Sequence, residues 1–134
     1  MKKIIDFLMQ SKVFFLATAE GSQPRCRPFG LVIEFEGKLY FGTGGSKDVY
    51  KQLEKNPKFE ICAVSQDASK WLRISAVAGL EDNLEAKKKA FEIAPFLAQR
   101  YKSYDNSEFK VFYAKDMSAT LYSMTGAPES IEIK

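Results

Sequence analysis

The chain has 134 residues, is 46% hydrophobic and 28% charged, and carries a formal net charge of +3. By length that is a single domain over residues 1–134, able to bury roughly two-thirds of the surface its unfolded chain exposes. It contains no histidine, so the commonest general base, the commonest zinc ligand and every Ser-His or Cys-His nucleophile pair are excluded.

In chain order, Ile4, Ile5, Leu8 and Met9 recur at helical spacing, which predicts an amphipathic helix over residues 2–10. This stretch is too short and too polar for a membrane span or signal peptide. The apolar run VFFLATA (13–19) and the turn-like EGSQP predict a strand and a hairpin. A next strand is expected from about Pro24 to Phe35, followed by a turn at EGK and the strand LYFGT. Val49, Tyr50 and Leu53 share the face of a helix starting at Ser46 and stopped by Asn56-Pro57, because the residue before proline is pushed out of the α region.

FEICAVS (59–65) reads as a buried strand. WLRISAVAGLE (71–81) alternates, with Leu72, Ile74, Ala76, Ala78 and Leu80 on one face and Trp71, Arg73, Ser75 and Val77 on the other. A helix is predicted over 84–94, ending at Pro95, in which Lys87-Lys88-Lys89 reads as a solvated face. SYDNSE is loop-like, FKVFYA and ATLYSM are two late strands, and SIEIK is a short edge strand. Strands joined mostly by hairpins predict an antiparallel sheet, closed or half-closed into a barrel.

The modest charge and dispersed lysines argue against nucleic acid as a partner. Cys26 and Cys62 fit no metal-ligand spacing and read as reduced thiols of a cytoplasmic protein.

Two stretches carry chemistry. GTGGSK (42–47) fails as a dinucleotide fingerprint, since Lys47 stands where a third glycine belongs, and as a Walker loop, since Asp48 follows Lys47 where a magnesium-binding hydroxyl is needed. What remains is Ser46 at the expected N-cap and Lys47 in the first turn, above free backbone N–H groups at the positive end of a helix. That set can hold one phosphate; the alternative is an ordinary strand-to-helix turn in which Asp48 favours the helix start. In QPRCRPFG (23–30), two arginines precede a proline and a glycine. The pair suggests a bulge near Pro28 where a flat ligand approaches, against the alternative of an edge strand with solvated arginines.

Taken in order, FFLATAEGSQPRCRPFG, KLYFGTGGSKDVYKQLEKNP, FEICAV and WLRISAVAGLE resemble the FMN-binding split-barrel superfamily related to pyridoxamine 5'-phosphate oxidase, in its small single-domain form. The resemblance implies a mainly β (α+β) fold: an antiparallel six-stranded split β-barrel with flanking helices, forming a homodimer whose subunits share each flavin site. Carried over by position, Arg27, Pro28, Phe29 and Gly30 match the strand under the isoalloxazine ring, and Thr43 matches a cofactor contact. Ser46 and Lys47 match the phosphate clamp, and Arg73 a polar residue reaching from the neighbouring subunit. Trp71, on the same strand, packs near the ring or serves as a core or interface aromatic.

The oxidases' second basic residue after the serine is Asp48 here, and their C-terminal arginine and histidine substrate motif is absent. Pyridoxamine-phosphate oxidation is therefore not expected. Two functions follow from the resemblance: an FMN-dependent oxidoreductase using NAD(P)H or another reductant, or a non-catalytic carrier or sensor that binds flavin or haem.

Overall fold

A computed structural model describes residues 1–133. The N-terminal helix α1 (Lys2–Ser11) leads into the hairpin β1 (Phe14–Glu20) and β2 (Gln23–Phe29), then β3 (Val32–Phe35) and β4 (Lys38–Gly44). Helix α2 (Asp48–Lys55) connects to β5 (Lys58–Val64) and β6 (Lys70–Gly79). Helices α3 (Leu84–Ile93) and α4 (Leu97–Tyr101) precede the long β7 (Phe109–Ser123) and the short β8 (Glu129–Ile131). All pairings are antiparallel, in the order β2-β1-β5-β6-β7-β4-β3 with β8 added on β7.

The sheet order begins and ends with β2 and β3, which are consecutive in sequence yet do not pair. That unpaired seam is the split of the barrel, and it lies at Gly30-Leu31. The single strand expected over residues 24–35 is thus two strands, each bonded to its own hairpin partner. The count is eight strands where six were expected, within the same split-barrel class.

The barrel interior holds Phe14, Leu16, Phe41, Phe59, Ile61, Leu72, Ile74 and Phe112, sealed by Ile4 and Leu8 of α1 and Val49 and Leu53 of α2. Phe41 and Phe112 lie 5.5 Å apart, and Phe59 meets both rings edge-on at 6.1 and 5.7 Å. Burying such a ring contributes roughly 1.5–3 kcal/mol. A second cluster packs Ala86, Ala90 and Leu97 of α3 and α4 against Ile33, Tyr40, Phe109 and Val111. This explains the unbroken apolar run LYF: Leu39 and Phe41 face the barrel while Tyr40 faces the helices.

Three further expectations are corrected. FKVFYA and ATLYSM are one strand: β7 pairs with β4 over Phe109–Tyr113 and with β6 over Tyr113–Ser123, and a bulge at Asp116-Met117 stands where a loop was expected. Lys87 is 1% exposed; its ammonium donates to the Asn106 carbonyl at 3.2 Å and lies 3.5 Å from the Asp82 carboxylate. Only Lys88 and Lys89 of the lysine run face solvent. The short helix α4 has no counterpart in the sequence reading. No helix among the described residues is long and apolar enough to cross a membrane.

Candidate functional site

The site is built where β4 hands the chain to α2, beside the seam of the barrel. Thr43 and Gly42 end β4, the Gly44–Lys47 turn follows, and β2 brings Arg27, Pro28 and Phe29 alongside. Together Arg27, Pro28, Phe29, Gly42, Thr43 and Lys47 line a cleft of about 160 Å³, closed behind by Val49. A second cleft of about 190 Å³ shares Gly42, Thr43 and Lys47 and is walled by Leu31, Phe96 and Arg100. Residues 16 positions apart in sequence, Arg27 and Thr43, are thus neighbours in one groove that runs across β4.

Arg27 is the anchored cation of the groove. Its Nη1 donates to Thr18 Oγ1 at 2.7 Å and to the Leu16 carbonyl at 3.3 Å, and its Nη2 donates to Gln52 Oε1 at 2.6 Å. The Thr18 hydroxyl in turn donates to the same Gln52 oxygen at 2.6 Å. Buried Gln52 sits on α2 among Val49, Tyr50 and Leu53, so this network ties helix, β1 and β2 together. Burial pulls the Arg27 pKa down, opposed by the neighbouring Cys26 and the Asp48 carboxylate, but a guanidinium stays charged. The strand itself is regular: Phe15 faces Pro28 and Phe14 faces Phe29 in unbroken register, so the bulge expected near Pro28 is absent. Gly30 also has room for a Cβ, whose nearest neighbour would be the Lys12 carbonyl at 3.6 Å.

The helix start differs from expectation as well. Lys47, not Ser46, is the N-cap residue of α2, and it makes no capping bond through its side chain. Ser46 turns the other way: its hydroxyl and its backbone N–H both donate to Glu108 Oε2, at 2.5 and 3.2 Å. Those bonds hold the Glu108 carboxyl below the usual carboxylate range. Nothing in SYDNSE singled out Glu108, because its partner lies 62 residues away in sequence.

Trp71 and Arg73 stand apart from this cleft, on the outer face of β6. Trp71 stacks on Tyr122 at 5.5 Å with the planes 7° apart. Arg73 lies 5.3 Å over the Tyr122 ring and donates to Glu60 Oε2 at 3.0 Å, the contact that chiefly raises its pKa. The same face carries Cys62, opposite Arg73, and Cys26, opposite Ala17. Burial pushes the Cys62 thiol up, with Arg73 opposing. Cys26 and Cys62 sit on strands separated by β1, and both are free thiols.

The residues fit a phosphorylated flat ligand in part. Lys47 supplies a cationic group at one end of the groove, beside a turn whose Gly45, Ser46 and Lys47 N–H groups already donate to Glu108 and to the Gly44 carbonyl. Phe29, Pro28 and the Gly42 backbone offer apolar surface along it.

The pyridoxamine 5'-phosphate oxidase family model matches residues 1–122. A NimC/NimA-family protein of Clostridium acetobutylicum is similar in structure, with TM-score 0.91 and 40% identity, covering 98% of this chain and 90% of that one. At 15% identity the likeness is one of fold alone for two others. HutZ of Vibrio cholerae, a heme storage protein, has TM-score 0.69 over 91% of this chain and 92% of its own. A pyridoxamine 5'-phosphate oxidase-related, FMN-binding protein of Nostoc punctiforme has TM-score 0.61 over 98% and 95%. No curated protein matches the sequence. A hairpin-built split barrel whose seam, β4 end and helix start form one groove, matched over nearly its whole length by the family model, places this chain in the pyridoxamine 5'-phosphate oxidase family of FMN-binding split barrels.

Proposed function

We propose that the chain binds FMN and works as a flavin-dependent oxidoreductase, as a homodimer with shared flavin sites. The observation that carries this reading is the continuous groove from Arg27–Phe29 across Gly42 and Thr43 to Lys47. Lys47 and the Ser46 end of the turn would take the phosphate, and the Arg27–Gly30 edge with Thr43 would face the ring. The bound flavin would supply the electron transfer, drawing on NAD(P)H or another reductant. The protein's part is to orient the ring and fix charge near it. Arg27 suits that role because Thr18, Gln52 and the Leu16 carbonyl hold its guanidinium in place, so no reorganisation is needed. Arg73 and Trp71, facing away from the groove of their own subunit, would serve the partner's flavin.

The visible spectrum of the purified protein separates this from a haem-binding carrier of the kind its fold also serves: flavin bands are expected, not a Soret band. Lys47→Ala should then weaken FMN by about tenfold, the loss of a charge-assisted contact, and leave riboflavin nearly unchanged. Equal losses for the two flavins would remove Lys47 from the phosphate. Turnover of NADH or NADPH by the flavin-loaded protein would distinguish an enzyme from a carrier.

A further inference from the structure

The turn between β4 and α2 is shaped around a carboxylate. Glu108 Oε2 accepts from both the hydroxyl and the N–H of Ser46, and the Glu108 carbonyl accepts from the Gly45 N–H at 2.7 Å. A Cβ at Gly44 would stand 2.9 Å from the same Oε2, so glycine leaves the carboxylate its room. The segment that presents Glu108 is itself held. Asn106 Oδ1 accepts from the Glu108 N–H at 2.8 Å, Asn106 Nδ2 donates to the Tyr101 carbonyl at 2.5 Å, and buried Lys87 donates to the Asn106 carbonyl.

Around this one anion stand several cations. Arg100 and Lys110 both act electrostatically on Glu108, and the Lys110 side chain runs against Gly45. Lys47 and Arg100 both line the adjoining cleft, and the Lys47 Cγ would lie 3.5 Å from a Cβ at Gly44. Among the described residues, none of Lys47, Arg100 and Lys110 is in an ion pair. Positive charge at this end of the groove therefore exceeds what one carboxylate neutralises. The donors a phosphate would use are nevertheless already taken by an acceptor of similar geometry.

We propose that Glu108 is an internal anion seated on the Ser46 donors, which a phosphate group must displace, and that Arg100 and Lys110 join Lys47 in facing the phosphate once it does. This rests on the reading of the groove as a flavin mononucleotide site. Its consequence is a specificity rule. Glu108 costs a phosphorylated ligand part of its binding and leaves a ligand without phosphate untouched, so it narrows the preference for FMN over riboflavin. Removing the charge at residue 108 widens that preference.

The test titrates wild type, Glu108→Gln and Glu108→Ala with FMN and riboflavin by flavin fluorescence, at one ionic strength, with Lys47→Ala as control. Glu108→Gln should tighten FMN by about tenfold and leave riboflavin within about twofold. Arg100→Gln or Lys110→Gln in that background should weaken FMN alone. Unchanged or weaker FMN in both Glu108 variants, or a parallel change for the two flavins, overturns the proposal. If Lys47→Ala still discriminates between the flavins in that case, the flavin site stands and only the displacement falls. A probe free of flavin is inorganic pyrophosphate, followed by the amide shifts of Gly45 and Ser46. It should bind Glu108→Gln more tightly than wild type, and equal affinity overturns the displacement even where no flavin binds.

Discussion

A missing methyl group lets a ring lie flat against β6. Gly79 pairs with Tyr113, and a Cβ at Gly79 would fall 2.3 Å from the Tyr113 ring. The half-exposed ring also packs against Tyr40 at 5.4 Å and under the Lys38 ammonium at 4.5 Å, so moving it aside breaks both contacts. Gly79→Ala should cost about 1–3 kcal/mol, as overpacking does. In a Tyr113→Ala background the same change should cost far less, and urea titrations of the four proteins in the double-mutant cycle would show this. Additive losses would mean that the ring moves aside freely. At this scale the candidate site was partly legible. Lys47 and Thr43 are close in sequence, and Arg27 shares a motif with Pro28 and Phe29, so their meeting in one cleft needed only the order of the hairpins. Glu108 and Lys87 were not legible. Their roles come from Ser46 and Asn106, residues brought to them only by tertiary packing, and a lysine run or an acidic loop looks solvated until its partners are known.

Among the elements, β7 is the one whose sequence misleads. KDMS, between its two apolar halves, is polar enough to read as a loop, yet Lys115 still pairs with Val77 and Ser118 with Ser75. The surplus residue is absorbed at Asp116-Met117, with Asp116 at φ 50, a left-handed conformation that aspartate tolerates better than most residues. The bulge lets the 15-residue strand keep its pairing with β6 on both sides of the surplus residue, while β4 pairs only with its first five residues. Asp116→Val, which puts a β-branched residue there, should lower stability by about 1–2 kcal/mol, whereas Asp116→Gly should not lower it at all. Thermal or urea unfolding of the two variants checks this, and equal stability would show that the turn relaxes. Elsewhere local chemistry announced the elements. Asn56-Pro57 ends α2 one residue after its last helical position, and the alternation of β6 matches its burial down to the half-exposed Trp71 and Val77. Helix α4 escaped because LAQRY is one short turn after Pro95, too brief for any period to show.

For the whole molecule, the outer face of the β1–β5–β6 sheet is where a second subunit would sit. Phe15 and Val64 are 45% and 42% exposed on it, and an open groove of about 540 Å³ runs over Ala17, Ala19 and Val77. Arg73, Glu60 and Ser75 form a polar cluster in the same layer, with the Glu60 carboxylate accepting from both neighbours at 3.0 Å. Apolar surface around a small polar centre suits the proposed dimer, in which a second copy would cover this face. If each subunit completes the other's flavin site, binding and association are linked: FMN favours the dimer by mass action, and dilution releases flavin as subunits part. Arg73→Ala is a fair probe, because its ion pair with Glu60 is half-exposed and contributes little to the fold. The expected result is a folded variant that binds FMN several-fold more weakly and sediments with a larger monomer fraction when flavin is scarce. A wild-type monomer holding one FMN per chain at full stoichiometry would refute the shared site and return Arg73 to a surface role.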